Sequence, residues 1–100
     1  MYARVARFER GEADALRQNA KEIGSRAESG PPEGVPGEGF LLLVDPDNGR
    51  GLAIALFETE EDLRKGDETL NSMSPPAEGM GDRISVEKYE VAVDVRGWGP

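Results

Sequence analysis

The chain has 100 residues, of which 37% are hydrophobic and 32% are charged, and its formal net charge at pH 7 is −8. This length suits one domain, and no apolar run approaches the ~20 residues of a membrane span. An acidic surface repels polyanions, which argues against nucleic acid and anionic membranes as partners. Histidine and cysteine are both absent, which excludes His- or Cys-dependent catalysis and a disulfide framework. We therefore expect no metal site, no signal peptide and a cytoplasmic location for a single domain over residues 1–100.

The first third of the chain predicts a strand, a helix and a loop. Residues 2–9, YARVARFE, alternate as a strand does, and Gly11 ends the pattern. A helix is predicted from Glu12 or Ala13 to Ala27, because its apolar residues fall on one stripe; they are Leu16, Ala20, Ile23 and Ala27. Residues 29–39, SGPPEGVPGEG, are too rich in glycine and proline for regular structure and predict an ordered loop.

Two apolar runs in residues 40–58 flank the turn sequence PDNG and predict a β-hairpin. The segment TEED follows, in which Thr59 and the acidic residue three positions later form a capping box. A second helix should therefore begin after Thr59, with a sparse apolar stripe of Leu63, Leu70 and Met73. Its acidic first turn has a structural cause, since carboxylates are favoured at a helix N-terminus.

Residues 83–95, RISVEKYEVAVDV, predict a long last strand whose apolar parity changes near Lys88, where we expect a bulge or a change of neighbour. The element order is then β-α-β-β-α-β, which is an α+β, ferredoxin-like arrangement. It places four strands in an antiparallel sheet with both helices on one face.

In strands two and three both parities are apolar, so two helices on one face leave large apolar side chains uncovered. A second copy of the sheet is the simplest cover, which predicts a homodimer closed sheet to sheet. The alternative is a monomer whose face is covered by a ligand or another protein. Candidates for the dimer face are Leu42, Val44, Leu52, Ile54, Leu56, Val91 and Val93. The last strand is expected to cross onto the partner, and Trp98 in the tail either clips onto it or is loose.

The element order, the strand end LFET that leads into a capped helix, and the closing strand VEKYEVAVDV resemble the antibiotic-biosynthesis-monooxygenase-like (ABM) family of dimeric α+β barrels. The resemblance covers residues 2–95 and implies a homodimer with a cavity between sheet and helices in each protomer. Some members of that family oxidise polycyclic phenols without a cofactor, and others degrade haem. The haem-degrading branch uses a proximal histidine, a tryptophan near the end of strand three and an asparagine on strand one. This chain has no histidine, Phe57 stands in place of the tryptophan, and strand one has no asparagine, so we do not expect haem degradation.

Four residues are candidates for the ligand pocket: Arg4, Phe57, Asn71 and Tyr89. Arg4 is suited to an anionic or phenolate ligand, although an ion pair with Glu58 or Glu87 is the simpler interpretation. Tyr89 can donate a proton to a ligand or simply pack in a core with its hydroxyl bonded.

Two functions are consistent with these residues. The first is a homodimeric barrel that binds a small apolar or aromatic ligand without a metal, haem or other cofactor, and without catalysis. The second is a cofactor-independent monooxygenase acting on a polycyclic phenol, with Arg4, Asn71 and Tyr89 stabilising an anionic intermediate. The lack of histidine and the presence of Phe57 favour the first.

Overall fold

A computed structural model describes residues 1–72 and 81–98. Its elements are β1 (Tyr2–Glu9), α1 (Ala13–Ala27), β2 (Gly39–Asp45), β3 (Arg50–Phe57), α2 (Glu60–Ser72) and β4 (Asp82–Glu90), with a short 3-10 turn over Pro46–Asn48. The strands form one antiparallel sheet in the order β2-β3-β1-β4. The ferredoxin-like α+β fold predicted from the sequence is confirmed. None of the helices in these described ranges is long and apolar enough to cross a membrane.

Local sequence signals explain most element boundaries. Gly49 closes the β2–β3 hairpin in the left-handed conformation, with a φ of 66°, which glycine adopts without the steric cost of a Cβ. The Thr59 hydroxyl accepts a 3.1 Å hydrogen bond from the backbone N–H of Asp62 and so caps α2 as predicted. Beyond Ser72 the predicted apolar contribution of Met73 lies outside the described residues.

The last strand is shorter than the sequence indicates. It ends at Glu90 rather than at residue 95, and the backbone N–H of Val91 donates to the carbonyl of Met1. Its neighbour β1 begins at Tyr2, so the chain beyond Val91 has run past the strand with which it pairs. The predicted irregularity near Lys88 is also wrong. The register of β4 shifts instead opposite Arg7 and Phe8, where Ile84 has no pairing partner on β1.

The strand register assigns each side chain to one of two sheet faces. On the helix face, one row crosses all four strands: Phe40 lies opposite Ala55, Ala55 opposite Arg4, and Arg4 opposite Lys88. The core lies on the same side, where Leu16 of α1 and Phe57 of β3 are fully buried.

The opposite face carries no helix, and we call it the open face. Its exposed apolar residues include Leu41 and Leu43, at 46% and 49% exposure. By register they stand opposite Ile54 and Leu52, which are half-buried. The sheet therefore presents an apolar surface on the side away from its helices.

The seven predicted dimer-face residues do not all lie on that surface. Leu52, Ile54 and Leu56 lie on the open face, but Leu42 and Val44 pair with Ala53 and Gly51 and point to the helix face. The sequence alone could not show which β2 side chains face the helices, because the residues of both parities are apolar. Only the strand register assigns each of them to a face. Val91 and Val93 lie beyond β4, with Val93 78% exposed. The role of all seven in a dimer stays a prediction, as does the contact of Trp98, which is 95% exposed.

Candidate functional site

Arg4 is a buried cation in the middle of β1, only 5% exposed. Its Nε donates to Oδ1 of Asp67 at 2.9 Å, and its Nη2 donates to Oδ1 of Asn71 at 2.9 Å. Both acceptors are on α2, four residues apart, and so lie on the same side of that helix. The guanidinium thus holds α2 against the sheet through two hydrogen bonds.

Lys88 brings a second cation to the same carboxylate. It is the register neighbour of Arg4 on β4, and its Nζ lies 2.9 Å from Oδ2 of Asp67. Each oxygen of Asp67 is therefore held by a different cation. The Lys88 side chain is 51% exposed, whereas that of Arg4 is 6% exposed, so of the two cations Lys88 is the one that water or a ligand can reach.

The cluster carries a surplus of positive charge. Burial of Asp67 would raise the pKa of its carboxyl, but hydrogen bonds from Arg4 and Lys88 outweigh burial and hold that pKa below its usual value. Asp67 is therefore ionised at neutral pH. Among the described residues it is the only carboxylate in salt-bridge contact with either cation, so two positive charges face one negative charge. Although the whole chain has a net charge of −8, this local excess of positive charge suits an anionic ligand.

An apolar group lies on the same face of the sheet as the cluster. Phe57 packs with Val35 and Leu63, and Tyr2 and Leu70 lie against that group. Near β2 the side chains of the helix face are only partly covered, since Phe40 is 41% exposed and its neighbour Ala55 is half-buried. On the helix face, the row therefore has a partly exposed phenyl ring, Phe40, at one end and a partly exposed lysine, Lys88, at the other.

Three of the four predicted pocket residues come together here. Arg4 bonds Asn71, and Phe57 lies on the same face two positions from Ala55. Tyr89 does not join them, because its register partner is Ala3 and it points to the open face. There its hydroxyl donates to Oε2 of Glu87 at 2.7 Å, a bond that raises the pKa of Tyr89.

The ion pair of Arg4 has a partner other than the predicted ones. Glu87 pairs with Arg7. Arg4 pairs with Asp67 rather than with Glu58 or Glu87. Asp67 was missed, although its place between Leu63 and Leu70 puts a carboxylate within the apolar stripe of α2. A charge in that position was the signal for a buried ion pair.

Two hollows are lined partly by residues of the open face. One, of about 350 Å³ near the hairpin turn, is lined by side chains that include Arg7, Leu43 and Leu52. The other, of about 470 Å³, lies where Leu41 and Leu56 meet the tail at Asp94 and Arg96. Within residues 1–72 and 81–98, no three His, Cys, Asp or Glu side chains are grouped so that they could hold a metal ion.

Comparison with known proteins identifies the fold. No protein-family model matches the chain. No curated protein matches it either. Among solved structures it is similar to MhuD, a haem degrader from Mycobacterium tuberculosis determined with two haems in its active site, at 19% identity and a TM-score of 0.62, over 95% of this chain and 99% of that one. It is also similar to a point mutant of MhuD with two manganese protoporphyrin IX molecules per active site, at 23% identity and a TM-score of 0.62, over 97% of this chain and 100% of that one.

These neighbours support the ABM-like α+β fold and correct the expectation about the ligand. The sequence led us to predict a small apolar or aromatic ligand bound without haem, both as the function and as the partner. That prediction is contradicted, because structures with this fold hold haem or manganese protoporphyrin in their active sites. At these identities the likeness shows the fold alone.

Proposed function

We propose that this chain binds a porphyrin on the helix face of its sheet. The observation that carries the proposal is the row Phe40, Ala55, Arg4 and Lys88, which is apolar and partly open at β2 and cationic at β4. The row spans three strand spacings, or about 14 Å. At its exposed ends, Phe40 offers apolar contact for the ring of a macrocycle and Lys88 offers a cation for its carboxylates, while Arg4 lies between them beneath α2.

The residues present suit the macrocycle and its carboxylates better than they suit the metal. The chain has neither histidine nor cysteine, so it offers an iron atom no imidazole and no thiolate. The proposed binding therefore rests on apolar contact with the ring and on charge pairing with its propionates. The similarity to structures that hold haem or manganese protoporphyrin IX supports a porphyrin as the ligand. Bound haem would supply redox-active iron, and the residues of this chain would bind and orient its edge.

We further propose that the protein is a homodimer closed through the open face. Leu41 and Leu43 on that face are both close to half exposed, and fully burying such a side chain is worth about 1.5–3 kcal/mol. A second copy of the same face covers them symmetrically. Because the porphyrin row lies on the other side of the sheet, this dimer leaves the proposed site accessible.

Titration with haem, followed by its Soret absorbance, tests the proposal. Wild-type protein should bind, and Lys88→Gln should bind about tenfold more weakly because it removes the accessible cation. Lys65→Gln is the matched control. Lys65 is also on the surface, 56% exposed, and pairs with Glu61 on the outer side of α2, so this variant makes the same charge change away from the row.

Equal loss of affinity in Lys88→Gln and Lys65→Gln would show that only overall charge matters and would overturn the assignment of Lys88. Wild-type protein that gives no saturable Soret change would overturn the proposed function itself.

A further inference from the structure

We infer that Asp67 is an internal competitor for the ligand carboxylate, so that α2 closes the anion site when no ligand occupies it. This inference rests on the proposed function and adds regulation to the same site. It is carried by the geometry of Asp67, whose two oxygens lie 2.9 Å from Arg4 Nε and 2.9 Å from Lys88 Nζ. A carboxylate of the ligand would bind the same two donors.

The position of Arg4 does not depend on Asp67 alone. Asn71 accepts a separate hydrogen bond from Arg4 Nη2, so the guanidinium remains attached to α2 without Asp67. Lys88 has no second carboxylate among the described salt bridges, and its ammonium has three donors. Lys88 is thus free to exchange Asp67 for a ligand anion while Arg4 stays in place.

When Lys88 exchanges Asp67 for a ligand anion, the attachment of α2 to the sheet changes. Asp67 is the residue of α2 that contacts both β1 and β4 through charge. An anion that takes over Lys88 removes the contact between α2 and β4 but leaves the one between α2 and β1. The ligand class this selects is a flat apolar molecule that carries a carboxylate or sulfonate, because a neutral molecule gains nothing from the cations.

The test compares Asp67→Asn with Glu68→Gln in the full-length protein. Both variants remove one negative charge from adjacent positions of α2, but Glu68 points to solvent with its side chain 69% exposed and pairs with Arg64. The probes are metal-free protoporphyrin IX and the fluorescent sulfonate anilinonaphthalene sulfonate. Asp67→Asn should bind both probes about fivefold more tightly than wild type, whereas Glu68→Gln should change each affinity by less than about twofold.

Affinity in Asp67→Asn that equals or falls below that of wild type for both probes would overturn the inference while leaving porphyrin binding intact. Tighter sulfonate binding in Asp67→Asn with no porphyrin binding in any variant would support the inference and reject the porphyrin as ligand. If Asp67→Asn does not fold, Lys88→Gln decides: the competition requires it to weaken sulfonate binding, and an unchanged affinity would reject it.

Discussion

Gly66 shows how a single residue fixes the distance between α2 and the sheet. It is buried in α2 directly above the ring of Phe57, and a Cβ built at position 66 would overlap two atoms of that ring. In the sequence this glycine only weakens the predicted helix. In the structure it lets the helix approach closely enough for Asp67, the next residue, to reach Arg4 and Lys88.

Gly66→Ala should therefore destabilise the protein despite the better helix propensity of alanine. Forcing a methyl group into a packed core costs about 1–3 kcal/mol, more than the gain of about 0.5–1 kcal/mol from replacing a helical glycine. Urea unfolding at fixed protein concentration measures the difference.

Gly24→Ala is the matched control for that measurement. Gly24 is also helical, in α1, but a Cβ there meets no atom within 4 Å, so this variant should gain about 0.5–1 kcal/mol. A Gly66→Ala protein as stable as Gly24→Ala would show that α2 does not rest on the Phe57 ring.

Among the elements, Asp67 joins β1, α2 and β4 by charge, and this makes their docking depend on pH. The folded state holds the pKa of Asp67 below its usual value, so its contribution to stability is fully present above the unfolded pKa, which is about 3.9 for an aspartate. That contribution is lost as the pH falls through the lower, folded pKa.

Wild-type protein should accordingly exceed Asp67→Asn in the free energy of unfolding at pH 6, and this advantage should shrink as the pH falls to about 3. Urea unfolding of both proteins across that range is the measurement. Other carboxylates titrate alike in the two proteins and cancel in the difference. An advantage that is the same at pH 6 and pH 3 would mean that Asp67 has the same pKa in the folded and unfolded states.

The elements themselves were largely predictable from the sequence because their signals are local. Thr59 caps α2 and Gly49 closes the hairpin, and both act on residues within a few positions. The pairings that build the candidate site are not local: Arg4 and Asp67 are 63 residues apart. Only the register showed that Tyr89 faces away from Arg4 and that Leu43, not Leu42, lies on the open face.

For the whole molecule, the open face predicts self-association. Sedimentation velocity or light scattering at micromolar concentration should give twice the chain mass of 10.8 kDa. Leu43→Glu should give a monomer, because burying an unpaired charge in a closed apolar interface is costly.

Phe40→Glu is the control for that variant. Phe40 lies on the same edge strand and is similarly exposed, at 41%, but points to the helix face, so the dimer should persist. A stable monomer in the wild-type protein would contradict the predicted assembly, and dissociation of both variants would show that the open face is not the specific interface.

The claim that the chain recognises a porphyrin by its ring and carboxylates assigns the binding to Phe40, Ala55 and Lys88 and none of it to a metal ligand. The most direct test is to measure the Kd of the wild-type protein for haem and for metal-free protoporphyrin IX under one set of conditions. Recognition through Phe40, Ala55 and Lys88 predicts that the two values agree within about threefold. Haem binding tighter by about a hundredfold, or no binding of the metal-free ring, would contradict it.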